Sequence, residues 1–328
     1  MDVSNTQGAE ILRLWVAAAD YMNDIRFGPT ILQASGDAYR KLRNTLRFLL
    51  GALDGFTDAE RVLHAEILGA VGTKGAAGID LELYMLHRLA TLGAEVRAAY
   101  ERYDFNHVYT ELFNFCTNDL SALYLDIRKD VLYCEPKVSL RRRACRTVLD
   151  HVFSALTAWL APIMCFTADE AWRTRHPNES VHLREFPEIP GEWSSPKLAQ
   201  IWEKRLRVRR VITGALEIER KNKVIGASLE AAPVLYVEDL ELLRSMDGMS
   251  AQDVAIVSQI VLADVNQVSA PASAFRLDDV PGVAVAFARA EGEKCARCWR
   301  VLPEVGDVPE HPRLCKRCAG VVGHMRAA

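Results

Sequence analysis

The chain has 328 residues, half of them hydrophobic and a quarter charged, with a formal net charge of −3. That length is more than one hydrophobic core comfortably serves, so about two or three domains are expected of an otherwise ordinary globular composition. No apolar run reaches the roughly eighteen residues that span a membrane, the N-terminus lacks the pattern of a secretory signal, and the near-neutral balance excludes a polycationic nucleic-acid coat.

Residues 8–23, "GAEILRLWVAAADYMN", predict an apolar helix. Ser35-Gly36-Asp37 reads as a cap, followed by Leu42, Leu46, Leu49, Leu50 and Leu53 on one helical face and Arg40, Lys41, Arg43 and Arg47 on the other, up to Gly55. Asp80 opens a second long pattern through Leu81, Tyr84, Leu89, Leu92 and Val96 to Tyr100. A third runs from Phe105 to about Arg128 on Val108, Leu112, Cys116, Leu120, Leu123 and Ile127. A fourth, from Ser139, carries Val148, Val152, Leu156 and Leu160 and breaks at Pro162. Thr167-Ala168-Asp169-Glu170 then reads as a capping box that restarts a short helix holding Trp172. Together these predict an antiparallel helical bundle over about 36–178. Cys116, Cys134, Cys145 and Cys165 fall on or beside its apolar stripes and read as core fillers.

Pro187, Pro190, Gly191 and Pro196 mark a connector. A helix from about Lys197 to Asn222 follows, then β-like runs at 233–237, 254–262 and 283–288, which together predict a small α/β module. The fold class is therefore mainly α: a bundle, an α/β module and a C-terminal four-cysteine zinc knuckle.

That last element rests on Cys295, Cys298, Cys315 and Cys318, spaced Cys-x2-Cys-x16-Cys-x2-Cys. Each Cys-x-x-Cys bends into a turn that offers two sulfurs to one ion, and two turns complete a tetrahedral thiolate shell. A closed shell leaves no position for water, so the spacing predicts one structural Zn2+ and no metal catalysis. His311 is a competing ligand of poor spacing, and a redox dithiol is the bland alternative. Eight cysteines without a secreted disulfide framework suggest a reducing, cytoplasmic setting.

Charge is clustered locally. Glu203 to Lys223 holds eight Lys/Arg against three Glu, Arg289 to Ala328 eight basic against five acidic residues, and "SLRRRACR" (139–146) four arginines. Any single run reads equally well as a solvated face, but three runs beside a zinc site favour an RNA or DNA partner. Trp299 follows Cys298, flanked by Arg297 and Arg300, while Lys316 and Arg317 sit inside the second pair. An indole among cations suits stacking on an unpaired base, and packing against the knuckle's own loop suits it as well. Arg205, Arg209, Lys221 and Lys223 are further backbone-contact candidates. No Gly-rich phosphate loop, GxSxG or HExxH organises a reaction.

The order of these blocks resembles the C-terminal portion of bacterial isoleucyl-tRNA synthetase, over nearly the whole chain. "DAYRKLRNTLRFLLGAL", "VYTELFNFCTNDLSALYLDIRKDVLYCE", "SLRRRACRTVLDHVFSALTAWLAPIMCFTADEAW" and "VHLREFPE" are similar to its anticodon-binding bundle, "ALEIERKNKVIGASLEA" to its junction block and "EKCARCWR…LCKRC" to its zinc tail. The helical blocks also suit the valine and leucine enzymes; the zinc tail after "IGASLEA" points to isoleucine. The family's His-x-Gly-His and Lys-Met-Ser-Lys-Ser signatures do not occur here.

The resemblance implies a linker helix over 1–35, an anticodon-binding bundle over 36–190, a junction module over 191–288 and a zinc knuckle over 289–328. It implies tRNA, above all the anticodon arm of tRNA(Ile), as partner, with Trp299 stacking and the basic residues named above as contacts. ATP would serve only the full-length enzyme, whose catalytic and editing domains would be the other partners; no membrane is implied. A free-standing RNA-binding accessory protein is the alternative. A DNA glycosylase of the formamidopyrimidine type shares the finger spacing but needs a Pro after Met1, where Asp2 stands.

Overall fold

The structure, a computed structural model, describes residues 3–248, 250–264 and 267–327. Its compact units cut across chain order. The first takes in residues up to Ile67, Leu81–Asp126 and Arg143–Ser195; the second takes in Leu68–Asp80, Ile127–Arg142 and everything from Pro196.

The first unit is helical. Short helices α1 (Val3–Gln7) and α2 (Ala9–Ala18) precede α3 (Pro29–Ala52), with α4 (His64–Ala70) at its margin. The long rods are α5 (Asp80–Glu101), α6 (Phe105–Asn114) and α8 (Leu140–Leu160), and α9 (Cys165–Arg175) closes the set. Apolar residues at helical spacing line the interior: Leu32, Leu42, Leu46 and Leu49 from α3, Val148, Val152 and Leu156 from α8.

Several ends differ from their sequence signals. α3 begins at Pro29, not at Ser35, because proline is pre-set for the first helical position and Leu32 extends the buried stripe upstream. Ser35 lies inside the helix, its hydroxyl donating to Ile31 O at 3.1 Å. α9 begins at Cys165, so Thr167 is no cap. Glu10, buried on α2, accepts instead from Phe166 N at 2.7 Å and Thr167 N at 2.9 Å, a long-range cap that local sequence does not reveal. The third predicted rod is α6, a wide π-helical stretch over Phe115–Tyr124, and α7 (Leu125–Cys134).

In the second unit α10 (Pro196–Lys221) packs on a three-stranded sheet of order β2-β1-β3. β1 (Val234–Val237) runs parallel to β2 (Val261–Leu262) and antiparallel to β3 (Val283–Ala286), with Leu235 opposite Val285. Val208, Val211, Ile212 and Leu216 of α10 meet Leu235, Val237, Val283 and Val285 in one buried cluster. Gly214 permits that approach, since a Cβ there would sit 2.7 Å from the Phe275 ring. The expected strand over 254–262 is mostly absent. Residues 251–255 form a turn of helix, α12 (Ala251–Ala255), after α11 (Leu240–Ser245), and only Val261–Leu262 pair as a strand. The zinc segment comprises the hairpin β4 (Glu293–Lys294) and β5 (Val301–Leu302), then α13 (Lys316–Ala327). Among the described residues no helix is long and apolar enough to cross a membrane.

Candidate metal centre and its exposed tryptophan

Local backbone chemistry builds the thiol cage. The β4–β5 hairpin folds the first Cys-x-x-Cys into a tight turn, with Trp299 N donating to Cys295 O at 2.9 Å and Cys295 N to Arg300 O at 2.8 Å. Gly292 precedes the hairpin at φ +104, where a Cβ would collide with the backbone of Leu302. The second pair sits at the start of α13, where Cys315 N donates to the Cys295 sulfur at 3.4 Å.

The four Sγ atoms of Cys295, Cys298, Cys315 and Cys318 lie within 4.8 Å of one another, and all four residues are buried. Cys298 and Cys315 are 3.8 Å apart. A regular tetrahedron with Zn–S bonds of about 2.3 Å has edges of about 3.8 Å, so the cage fits zinc. Bound there, zinc would be held by four thiolates with no open coordination position, and its role is structural. Hydrogen bonding from Cys318 and then burial push the Cys298 thiol up to about 12. That thiol is therefore protonated at neutral pH and must release its proton to ligate. Calorimetric zinc titration in two buffers of different ionisation enthalpy is expected to show proton release and affinity that rises with pH. Identical heats in both buffers would contradict this protonation state.

The basic residues around the cage are largely turned inward. Arg297 donates to the carbonyls of Cys134 at 2.6 Å and Tyr133 at 3.0 Å, the exposed end of α7. Arg300 pairs with Asp253, which Arg141 also approaches at 3.3 Å. Burial would raise Asp253, but Arg300 and Arg141 outweigh it and hold its carboxyl below the usual range. Arg317 makes a two-pronged pair with Asp130 at 2.6 Å on each prong. Lys316 pairs with Asp307 at 2.8 Å in the open. Arg205 is buried against Asp80, and Arg209 donates to Val254 O at 2.9 Å. Lys221 and Lys223 are exposed and meet no carboxylate among the described residues. The "SLRRRACR" run behaves like the others. Arg146, for example, pairs with Glu60 and donates to Ala52 O and Asp54 O past the end of α3.

Of the expected core fillers, Cys116 and Cys145 are buried among helices, Cys165 is only half-buried, and Cys134 departs from the set. It packs with the four cage cysteines, and its thiol donates to Arg297 O at 3.7 Å. Trp299 differs from the paired arginines around it. It is 62% exposed, with Lys294 Nζ 5.6 Å from its ring centroid. Its φ is 66°, a left-handed conformation that bulky residues adopt only under constraint, at a cost of about 1–3 kcal/mol. Sequence inspection also left aside Arg43 and Arg47 on α3, which are exposed without a carboxylate partner among the described residues. The basic stripe of that helix was the available signal.

Comparison with known proteins accords with this arrangement. Residues 82–236 match the family model described as the anticodon-binding domain of tRNA ligase, and residues 292–320 match the zinc finger found in FPG and IleRS. The chain is similar to isoleucine–tRNA ligases of Ruegeria pomeroyi (49% identity, 98% of this chain and 32% of the relative) and Caulobacter vibrioides (48%, 99% and 32%). It is likewise similar to that of Agrobacterium fabrum, at 44% identity over 99% of this chain and 32% of the relative. The chain thus spans about a third of the length of these relatives.

Proposed function

We infer that this chain is a portion of an isoleucine–tRNA ligase, one that carries the anticodon-binding domain and the zinc finger, from the two family models and the relatives it matches. It grips the anticodon arm of tRNA(Ile), for a protein that as a whole joins isoleucine to tRNA at the expense of ATP in the cytoplasm. Residues 36–190 supply the bundle, 191–288 the junction and 289–328 the knuckle, beside catalytic and editing domains.

One observation supports this most: Trp299 stands exposed, in a strained backbone, on the turn of the first Cys-x-x-Cys. An apolar ring gains nothing from water, and a left-handed conformation at a tryptophan persists only where the surroundings impose it. Anticodon bases are unstacked, and a π-face offered to them recovers stacking energy. Phosphate contacts fall to exposed cations without a carboxylate partner among the described residues, Lys221 and Lys223 and, on the bundle, Arg43 and Arg47, and to Lys316, whose pair with Asp307 is open to solvent. Arg297, Arg300, Arg317, Arg205 and Arg209 brace the protein instead.

Titration of the zinc-loaded chain with tRNA(Ile), and with the same tRNA carrying a changed anticodon, at two salt concentrations tests the reading. Preferential binding of the first supports it; equal, salt-sensitive binding of both makes the chain a general RNA clamp. Trp299→Ala is expected to weaken binding by about 1–3 kcal/mol. Trp299→Gly loses the same stacking while relieving the left-handed strain, so the knuckle should become no less stable. An unchanged affinity in both variants would place the indole outside the interface.

A further inference from the structure

The backbone on either side of Trp299 is anchored, and to different elements. Arg297, two positions before it, donates to the last carbonyls of α7. Arg300, directly after it, pairs with Asp253 of α12, and Asp253 is itself braced by Arg141. A third tie comes from the second half of the cage, where Arg317 in the first turn of α13 forks onto Asp130 of α7. The two aspartates receive arginines that lie 187 and 47 positions away in the chain, on both sides of the metal cage.

We infer that Asp130 and Asp253 are positioning residues for RNA recognition: they hold the knuckle so that the Trp299 indole is presented at one fixed angle. This rests on the tRNA-binding reading above. Neither carboxylate suits direct contact, since their side chains are only 23% and 16% exposed and a carboxylate repels phosphate. Their contribution is preorganisation. An exposed ring on a loosely hinged knuckle loses orientational freedom on meeting a base, whereas a ring fixed beforehand does not. Apparent affinity falls in proportion to the fraction of molecules holding the competent geometry. A forked guanidinium–carboxylate pair suits the task because it fixes orientation as well as distance.

The test uses the full zinc-loaded chain. Asp130→Asn preserves size and removes the charge. It is expected to retain zinc, to weaken tRNA binding by about threefold to tenfold, and to leave the salt dependence unchanged because no phosphate contact is lost. The reversed pair, Asp130→Arg with Arg317→Asp, is expected to restore affinity to within about twofold, and it decides the matter should the single variant shed its metal. In the absence of RNA, heteronuclear relaxation at the Trp299 amide and indole N–H is expected to be rigid in the parent chain and loosened in Asp130→Asn. Unchanged affinity, or a gain because a freed Arg317 now meets RNA itself, overturns the inference. So does a reversed pair that stays weak, which would assign Arg317 to the RNA directly. If the parent chain fails to bind tRNA while relaxation still shows the loosening, the functional reading fails and the positioning role stands; rigid relaxation in Asp130→Asn defeats the positioning role on its own.

Discussion

Stripping zinc with a strong chelator is expected to unfold residues 292–320 while the helical signal of the first unit persists. The hydrophobic cluster of this segment is small: Cys134 and the four ligands, with Leu302, Val305 and Leu314 packed against them among the described residues. Two two-residue strands and a twelve-residue helix cannot offset their own conformational entropy from so small a core. Metal binding supplies the difference, on the order of 10–16 kcal/mol in apparent terms for a site of this kind. Cys298→Ser should mimic chelation, because a three-thiolate shell gives up a large part of that energy. The change can be followed by hydrogen exchange: protection of the Trp299 and Cys295 amides should vanish, and that of the Leu149–Leu156 amides in α8 should hold. Loss of the whole helical signal in one transition would mean that the knuckle is not an independent folding unit.

Much of this layout is legible in the sequence alone. The stripe Leu42, Leu46, Leu49 repeats at 3.6 residues, and the four cysteines fall at metal spacing, because both patterns are local and each constrains only nearby backbone. Less legible was anything decided at long range. "VAIVSQIVL" has strand-like composition, yet Ile256 sits at φ 56 and ends α12 after a single turn, and Ser258 then bonds Leu229 O and accepts from Val301 N at 2.7 Å. A β-branched residue in the left-handed region is set by its surroundings, not by propensity. The arginines teach the same lesson about charge. A run of Lys and Arg reveals how many cations stand in a row but not where their carboxylates lie, and for Arg317, Arg205 and Arg300 these stand 187, 125 and 47 positions away. Most arginines of these basic runs therefore brace helix ends and the knuckle, while among the described residues Lys221 and Lys223, at the end of one run, stand exposed without a carboxylate.

Arg205→Met is expected to lower stability by about 3–5 kcal/mol and leave tRNA affinity unchanged at temperatures where the chain stays folded. Arg205 is 4% exposed and lies along the Trp202 ring, 4.8 Å from its centroid. Its guanidinium reaches Ser245 O at 2.5 Å, Asp247 O at 3.1 Å and the carboxylate of Asp80, which is itself 6% exposed. Removing the cation strands that carboxylate in a dry site, and an uncompensated buried charge costs far more than the pair contributed. The companion variant Arg205→Met with Asp80→Leu takes out both charges, so most of the lost stability should return, and the departure from additivity measures the coupling. Denaturation of the parent, the single and the double variant in urea distinguishes this from an RNA-facing role. A single variant that unfolds at the parent's midpoint but binds tRNA more weakly and with a flatter salt dependence would return Arg205 to the interface, because loss of a phosphate contact lowers the salt slope and loss of positioning does not.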